Sequence, residues 1–465
     1  MPPKNLSKII HELIKHGYNA ELDVVQFINN TPNPLSTIQF LIENAPDGVL
    51  TFNMSHISSL YQNPLPDPSI LIENDMTGNS TGSGTYNDFV EIFQDRLSKL
   101  SSILSNRVTP YPLNSLKTAS GDVRTIGMIS DIKKTTSNHI LIELEDTTGV
   151  FSILVNNNSD IFSLTDELLL DEVIGVKGKL SPDSDLLFAE SIYFPDVPTN
   201  FRPKLATRSV QAALLSDIHV GSKHFRSDLW SDFAKWLSTP EAEPLEYLLI
   251  AGDLVEGVGV YPGQDTDLEI INIYEQYEAF NECLKEIPGH ISIIMIPGNH
   301  DAVRLAEPQP GFDPEIRKIL SSSKINFTSN PSTVTVEGVP ILLYHGVSLD
   351  EIIAETPSPQ VSYEQPHNAM IQLLKKRHLE PQFGSRTRIS PERKDYLTID
   401  KIPSVFHSGH VHKFGYGKYH NVLVINSGCW QSQTDFQKRA NITPDVGYAP
   451  ILDLDTLNLT IRKFS

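Results

Sequence analysis

"IPGNHD", residues 296–301, closes one of the most apolar runs in the chain, His290-Ile291-Ser292-Ile293-Ile294-Met295-Ile296. Its residues make sound turn chemistry on their own, because Gly accepts positive φ and Asn and Asp bond to nearby backbone. The string therefore reads first as the polar turn that ends a buried strand. Whether Asn299, His300 and Asp301 do more depends on what ends the other apolar runs.

Those runs end in the same way. Ala212-Ala213-Leu214-Leu215 leads to Ser216-Asp217-Ile218-His219, and Leu248-Leu249-Ile250-Ala251 leads to Gly252-Asp253. Ile341-Leu342-Leu343-Tyr344 leads to His345-Gly346, and Val405-Phe406 to His407-Ser408-Gly409-His410-Val411-His412. Between these runs, Asp267 to Glu286 sets Ile273, Tyr277, Phe280 and Leu284 on one helical stripe. Strands alternating with amphipathic helices predict an α/β layered domain over 205–465.

In such sheets ligand sites form beyond the carboxyl ends of the strands, where side chains converge on rigid supports. Asp, Asn and His are hard to borderline donors that suit Mn, Fe, Zn or Mg better than a thiolate metal. Asp217-x-His219 and His410-x-His412 are i, i+2 pairs, which share a face in extended backbone. One Gly-Asp is a turn, and one His-x-His is a surface pair. Five strand ends in order, all delivering such donors, are not explained by turns.

The 465 residues are too many for one ordinary core and suggest about three domains. Leu6, Ile9, Ile10, Leu13 and Ile14 keep helical spacing before Gly17, so residues 5–16 predict a capped helix. Similar patterns at Val24 to Ile28 and Ser36 to Ile42 extend this to a small helical domain over 1–62, either self-contained or a docking face. Residues 63–87 are rich in Pro, Gly, Ser, Thr, Asp and Asn, and a flexible linker is expected over 63–104. Within it, Ile70-Leu71-Ile72 could be a short docking motif. Over 105–200, five short strands (Arg124 to Ile132, His139 to Glu145, Gly149 to Val155, Val173 to Lys179, Leu187 to Phe194), with a helix-like segment Ile161 to Leu170 after the third, predict an OB-type β-barrel. Its strands carry few aromatic or basic residues for holding nucleic acid.

With 37 basic and 57 acidic residues the net charge is -20, which argues against a surface that binds nucleic acid by bulk charge while leaving a local site open. The two cysteines, Cys283 and Cys429, make neither a disulfide framework nor a thiolate cluster; they fit a reducing intracellular setting and read as small buried residues. The N-terminus lacks the apolar segment of a signal peptide, and no run of about 18 apolar residues predicts a membrane span.

The ordered set Asp217-x-His219, Gly252-Asp253-x-x-Glu256, Gly298-Asn299-His300-Asp301, His345-Gly346 and Gly409-His410-x-His412 resembles the calcineurin-like metallophosphoesterases, which place a two-metal site on an αββα sandwich. "LLSDIHVGSKHF" (214–225), "IAGDLVEGVGVYPGQ" (250–264), the barrel and the helical unit narrow the resemblance to the small, proofreading exonuclease subunits of archaeal D-family DNA polymerases. It covers 105–465 well and the first hundred residues in outline.

The resemblance implies that Asp217, His219 and His412 bind one metal, that Asn299, His345 and His410 bind the other, and that Asp253 bridges them. His300 would protonate the leaving oxygen. Two divalent ions, Mn first with Mg, Fe or Zn as alternatives, would sit ~3.5–4 Å apart, clamp a phosphate and deprotonate a bound water. An imidazole suits the departing 3′-hydroxyl as an acid. Two carboxylates against four metal charges keep the site net positive, as a phosphodiester requires. The expected partners are the large catalytic polymerase subunit and the 3′ end of a DNA primer-template, with a sliding clamp or primase as further candidates and no membrane. The expected setting is the cytoplasm, beside the nucleoid.

Glu256 stands where many such proteins carry Asp, so whether it orients His300 is open; it reads as a supporting residue, as does Asp301 in its turn. Arg304 could hold a substrate phosphate, although exposed arginines are common. The stretch 373–394, "LLKKRHLEPQFGSRTRISPERK", is the most basic in the chain and could steer DNA or be a solvated surface. His224, His407 and His420 read as loop or core. Three functions remain: an active 3′ to 5′ exonuclease beside a separate polymerase chain, a catalytically silent scaffold subunit, or another two-metal phosphoesterase such as a repair nuclease.

Overall fold

The computed structural model describes residues 4–29, 31, 34–43, 45, 49–54, 69–183, 185–321, 325–439 and 441–465. Near the N-terminus, helices Lys4–Lys15, Leu22–Asn29 and Pro34–Glu43 bury Leu6, Ile9, Leu13, Val24, Val25, Ile28, Ile38 and Leu41 against one another and Phe52. The apolar stripe read from the sequence is thus largely used inside the unit, with Ile10 and Ile14 left at 39% and 55% exposure. The boundary expected near residue 62 lies outside the described residues, as do residues 63–68 of the expected linker.

The described part of that linker is built into the fold. Ile70–Ile72 forms a strand antiparallel to Ser332–Val336. Its apolar residues meet a sheet edge of the same chain, which is a correction to the flexible reading and gives the motif an intramolecular use. Tyr86–Ser105 is a 20-residue helix, started by a capping box in which Thr85 and Asp88 bond each other's backbone N–H. Ile92, Arg96, Leu100 and Leu104, spaced by four, are its buried stripe.

The barrel strands Asp122–Lys134, Ile140–Asp146, Gly149–Val155, Leu186–Tyr193 and Val173–Leu180 close in that order. Ile129, Ile142, Leu144, Ile153, Ile174 and Leu187 fill the interior. Where a helix is expected over 161–170, only a 3₁₀ turn forms at Phe162–Glu167. Leu168 leaves the turn in extended backbone and joins the barrel core, which ends the winding early.

The remaining chain is an αββα sandwich. One sheet orders strands Ile325–Phe327, Ser292–Ile296, Leu245–Ala251, Gln211–Leu215, Tyr448–Asp453 and Leu459–Lys463. The other orders Phe414–Tyr419, Val422–Ser427, Val405–Ser408, Val339–Leu343, Ser332–Val336 and Ile70–Ile72. Alternation along one strand shows the layering. Ala212 and Leu214 face the core between the sheets, with Val334, Ile341 and Val405. Ala213 and Leu215 face helices Ser227–Leu237 and Ile273–Lys285. On the far side, helices Leu349–Glu355 and Pro366–Lys376 cover Leu342, Phe406 and Val424. Gln211–Leu215, Leu245–Ala251 and Ser292–Ile296 run parallel, as do Val339–Leu343, Val405–Ser408 and Val422–Ser427, so their carboxyl ends gather at one edge of the sandwich. Among the described residues no helix is long and apolar enough to cross a membrane.

Candidate metal centre

Five of the seven residues expected to bind metal, Asp217, His219, Asp253, His410 and His412, hold φ values between 51° and 71°. Such left-handed backbone costs a non-glycine residue roughly 1–2 kcal/mol and gathers where surrounding structure imposes it for a purpose. The imposing contacts are visible. The Asp217 carboxylate accepts the His410 backbone N–H at 2.9 Å, and the His300 N–H donates to Asp253 at 2.8 Å. Two glycines make these approaches possible, since a Cβ on Gly409 would collide with the Asp217 carboxylate and one on Gly298 with that of Asp253.

The donors converge as two groups joined by carboxylates. His219 Nε2 and His412 Nε2 face each other at 3.0 Å, with Asp217 Oδ1 3.8 and 3.4 Å from them. Asp253 Oδ2 lies 3.6 Å from His219 Nε2 and 3.3 Å from His345 Nε2, so one carboxylate oxygen stands between the groups. Asn299 Oδ1 is 2.9 Å from that same His345 nitrogen. Asp217, His219 and His412 could hold one ion, and Asp217, Asp253 and His345 another. His219, Glu256 and His300 make a third such grouping, although the His300 Nδ1 proton is given to the Glu256 carbonyl at 2.7 Å.

A metal fits the electrostatics of this site. Asp217 and Asp253 are almost fully buried, and among the described residues their ion-pair partners are imidazoles alone. Buried charge needs pairing or a coordinated cation. Burial opposes ionisation of both carboxyls, yet the hydrogen bonds of His219 and His412 hold Asp217 well below the carboxylate range, and His345 and His300 do the same for Asp253. The converse appears at His345, raised to about 10 against the effect of burial by Asp253 and Asp217. His300 is pushed below its ordinary value, by burial first and by the neighbouring His219 against the pull of Asp253.

Outside the donors sits a layer of orienting groups. His345 Nδ1 donates to the Ala251 carbonyl at 2.8 Å, which leaves Nε2 as its free donor atom. His219 Nδ1 lies 3.0 Å from Glu256 Oε2, so this carboxylate serves His219, and only the Glu256 backbone serves His300. Gln431 and Tyr261 in turn hold Glu256 at 2.7 and 3.1 Å. Asp301 accepts from the Gly298 N–H at 2.9 Å and the Tyr277 hydroxyl at 3.0 Å, and burial raises its pKa to about 7. It is a turn residue.

His410 stands somewhat apart. Its ring packs edge-on to that of His345 at 5.2 Å, and its Nε2 lies 3.3 Å from Asp350 Oδ2. Asp350 is absent from the sequence expectation: an acid in the first turn of helix Leu349–Glu355 looks like ordinary helix-dipole chemistry. Gln437, 2.9 Å from His412 Nδ1, and Gln431 are likewise missed, because only tertiary contact brings them in.

Arg304 is corrected as a substrate group. Its guanidinium bonds Glu392 at 2.9 Å, the Pro308 carbonyl and the Ser80 hydroxyl, which ties three segments together. His407 is fully buried and bonds Ser427, and His420 bonds the Val197 carbonyl; both are structural. His224 bonds through its backbone and ring to Ser432.

Comparisons with known proteins identify the family. A family model for the B-type subunits of DNA polymerases alpha and epsilon matches residues 212–415, and one described as an OB-fold nucleic acid binding domain matches residues 123–191. The DNA polymerase II small subunit of Halobacterium salinarum is 50% identical, with 100% of both chains covered. That of Archaeoglobus fulgidus is 41% identical over 88% of this chain and 86% of its own. A solved structure described as a novel archaeal phosphodiesterase aligns with 55% of this chain and 100% of its own, at 15% identity and a TM-score of 0.29. The full-length match at this identity settles the family: the chain belongs to the DNA polymerase II small subunits of archaea.

Proposed function

We propose that the protein is a metal-dependent 3′ to 5′ DNA exonuclease that removes mismatched primer ends for a large polymerase subunit carried on a separate chain. The observation that carries this reading is the set of donors around the Asp253 carboxylate, with Asp217, His219, His345 and His412 buried beside it, Asn299 and His410 half-buried against His345, and an imidazole, His300, at the rim. Asp217, His219 and His412 would hold one divalent ion, Asn299, His345 and His410 the other, with Asp253 between them. Bound there, two ions would neutralise a phosphodiester and supply a nucleophile at neutral pH; the donors suit Mn, with Mg, Fe or Zn as alternatives.

The chain's own residues do the rest. Glu256, the Ala251 carbonyl and Asp350 fix the rings of His219, His345 and His410. The His300 Nδ1 proton is committed to the Glu256 carbonyl, so Nε2 is the atom that would take up a proton and pass it to a departing 3′-hydroxyl. A silent scaffold would have no need to keep seven donors together, five of them in left-handed backbone.

The test uses the purified chain, alone and with the large subunit, given Mn and a primer with a mismatched 3′ end. Removal of the terminal nucleotide is expected, and it should be lost in Asp253→Ala and His410→Ala. No removal under any metal, or removal that survives both substitutions, would overturn the proposal. Retention of the large subunit by the inactive variants would keep the scaffold role separate.

A further inference from the structure

The basic stretch 373–394 divides in the fold. Lys375 and Lys376 pair with Glu167 and Glu172, and Arg377 bonds the Ile399 and Asp400 carbonyls. Arg386 and Arg388 are exposed, and among the described residues neither guanidinium has a hydrogen bond or ion pair.

Their backbone is nevertheless fixed. The Ser385 hydroxyl and the Thr387 N–H bond the two oxygens of buried Glu351 at 2.5 and 2.6 Å. The Glu307 N–H donates to the Arg388 carbonyl at 2.8 Å, and Glu307 in turn accepts from the Tyr344 hydroxyl at 2.8 Å. Both anchors adjoin the metal centre: Glu351 follows Asp350, which meets His410, and Tyr344 precedes His345. Against the effect of burial, His410 and Tyr363 hold Asp350 below the carboxylate range, and Arg386 lies close enough for its charge to add to theirs.

Thr387 is buried between the two exposed arginines, so the segment is pinned at its centre while both guanidinia stay in solvent. With Arg304 committed to Glu392, these are uncommitted cations anchored beside the centre in a chain of net charge -20.

We propose that Arg386 and Arg388 grip phosphates of the DNA strand whose 3′ end enters the metal centre. The inference rests on the nuclease reading for its ligand. It is tested by binding, not turnover. In a His300→Ala background, a dye-labelled single-stranded oligonucleotide would be titrated into the full chain with Mn across 50–200 mM salt. Arg386→Ala/Arg388→Ala should weaken binding about tenfold or more and flatten the slope of log K against log salt by about 1.4, two contacts at ~0.7 each. Arg386→Lys/Arg388→Lys should restore most of the slope, because charge sets it. Unchanged affinity and slope, or no DNA binding by the parent chain, would overturn the inference. Loss of binding in the double variant together with no cleavage by the native chain would uphold the grip and sink the nuclease; cleavage with unaltered binding would do the reverse.

Discussion

At the scale of residues, the centre's donors are held by groups that touch no ion, and Glu256 is the most open to test. Its carboxylate is held well below the usual range, against burial, by His219, and it is fixed by Gln431 and Tyr261. Glu256→Gln keeps the volume but removes the charge that lies 3.0 Å from His219 Nδ1. Orienting groups of this kind are worth ~10–100-fold in metal affinity, so calorimetry should show Mn binding weakened by that order with the fold intact; equal affinity would leave Glu256 a packing residue. Asp350→Asn should do the same through His410. The seven candidate donors are legible in the sequence because each follows an apolar run. Glu256 is legible as a position but not as the partner of His219, and Gln431, 175 residues away, gives no local sign.

At the scale of elements, the segment expected to be linker shows where composition misleads. Pro, Gly and Ser around 63–84 obscure the capping box at Thr85 and Asp88, and Arg96 interrupts an otherwise apolar stripe at the position where the helix is pinned. Arg96 bonds Asp395 at 2.9 Å, and His378 Nε2 donates to the same carboxylate at 2.8 Å. The Glu380 N–H donates to His378 Nδ1 at 3.0 Å, so the ring is a neutral tautomer with no room for a second proton. Burial, then the charge of Arg96, lowers its pKa from 6.5 to about 4. A depressed folded value means that the unfolded chain binds more protons between those limits, so stability is full above pH 6.5 and falls as pH drops toward 4. This contribution is worth about 3 kcal/mol at most. Urea midpoints measured from pH 7 to pH 4.5 should fall more steeply in the native chain than in His378→Gln; parallel curves would remove His378 as the source.

At the scale of the whole molecule, the barrel is fastened to the sandwich through the inner half of the stretch expected to meet DNA. The charges of Lys375 and Lys376 are plain in the sequence but their direction is not, since helix Pro366–Lys376 has to pack before those side chains find Glu167 and Glu172. Lys376 and Glu172 are both nearly inaccessible, 2.7 Å apart. Burial raises the Glu172 carboxyl above its usual range even with Lys376 beside it. Lys376→Met would therefore leave an isolated buried acid, a loss of about 3–5 kcal/mol where it must stay ionised. The acid can escape by taking a proton, and a raised folded pKa makes stability decline as pH rises. The loss in urea unfolding should thus be smaller at pH 5 than at pH 8. Replacing the partner as well, in Lys376→Met/Glu172→Leu, should recover most of the stability and abolish that pH dependence, because an apolar pair of similar volume has no desolvation cost to repay. A single variant as stable as the native chain at pH 8 would mean that the barrel is held by its apolar contacts alone.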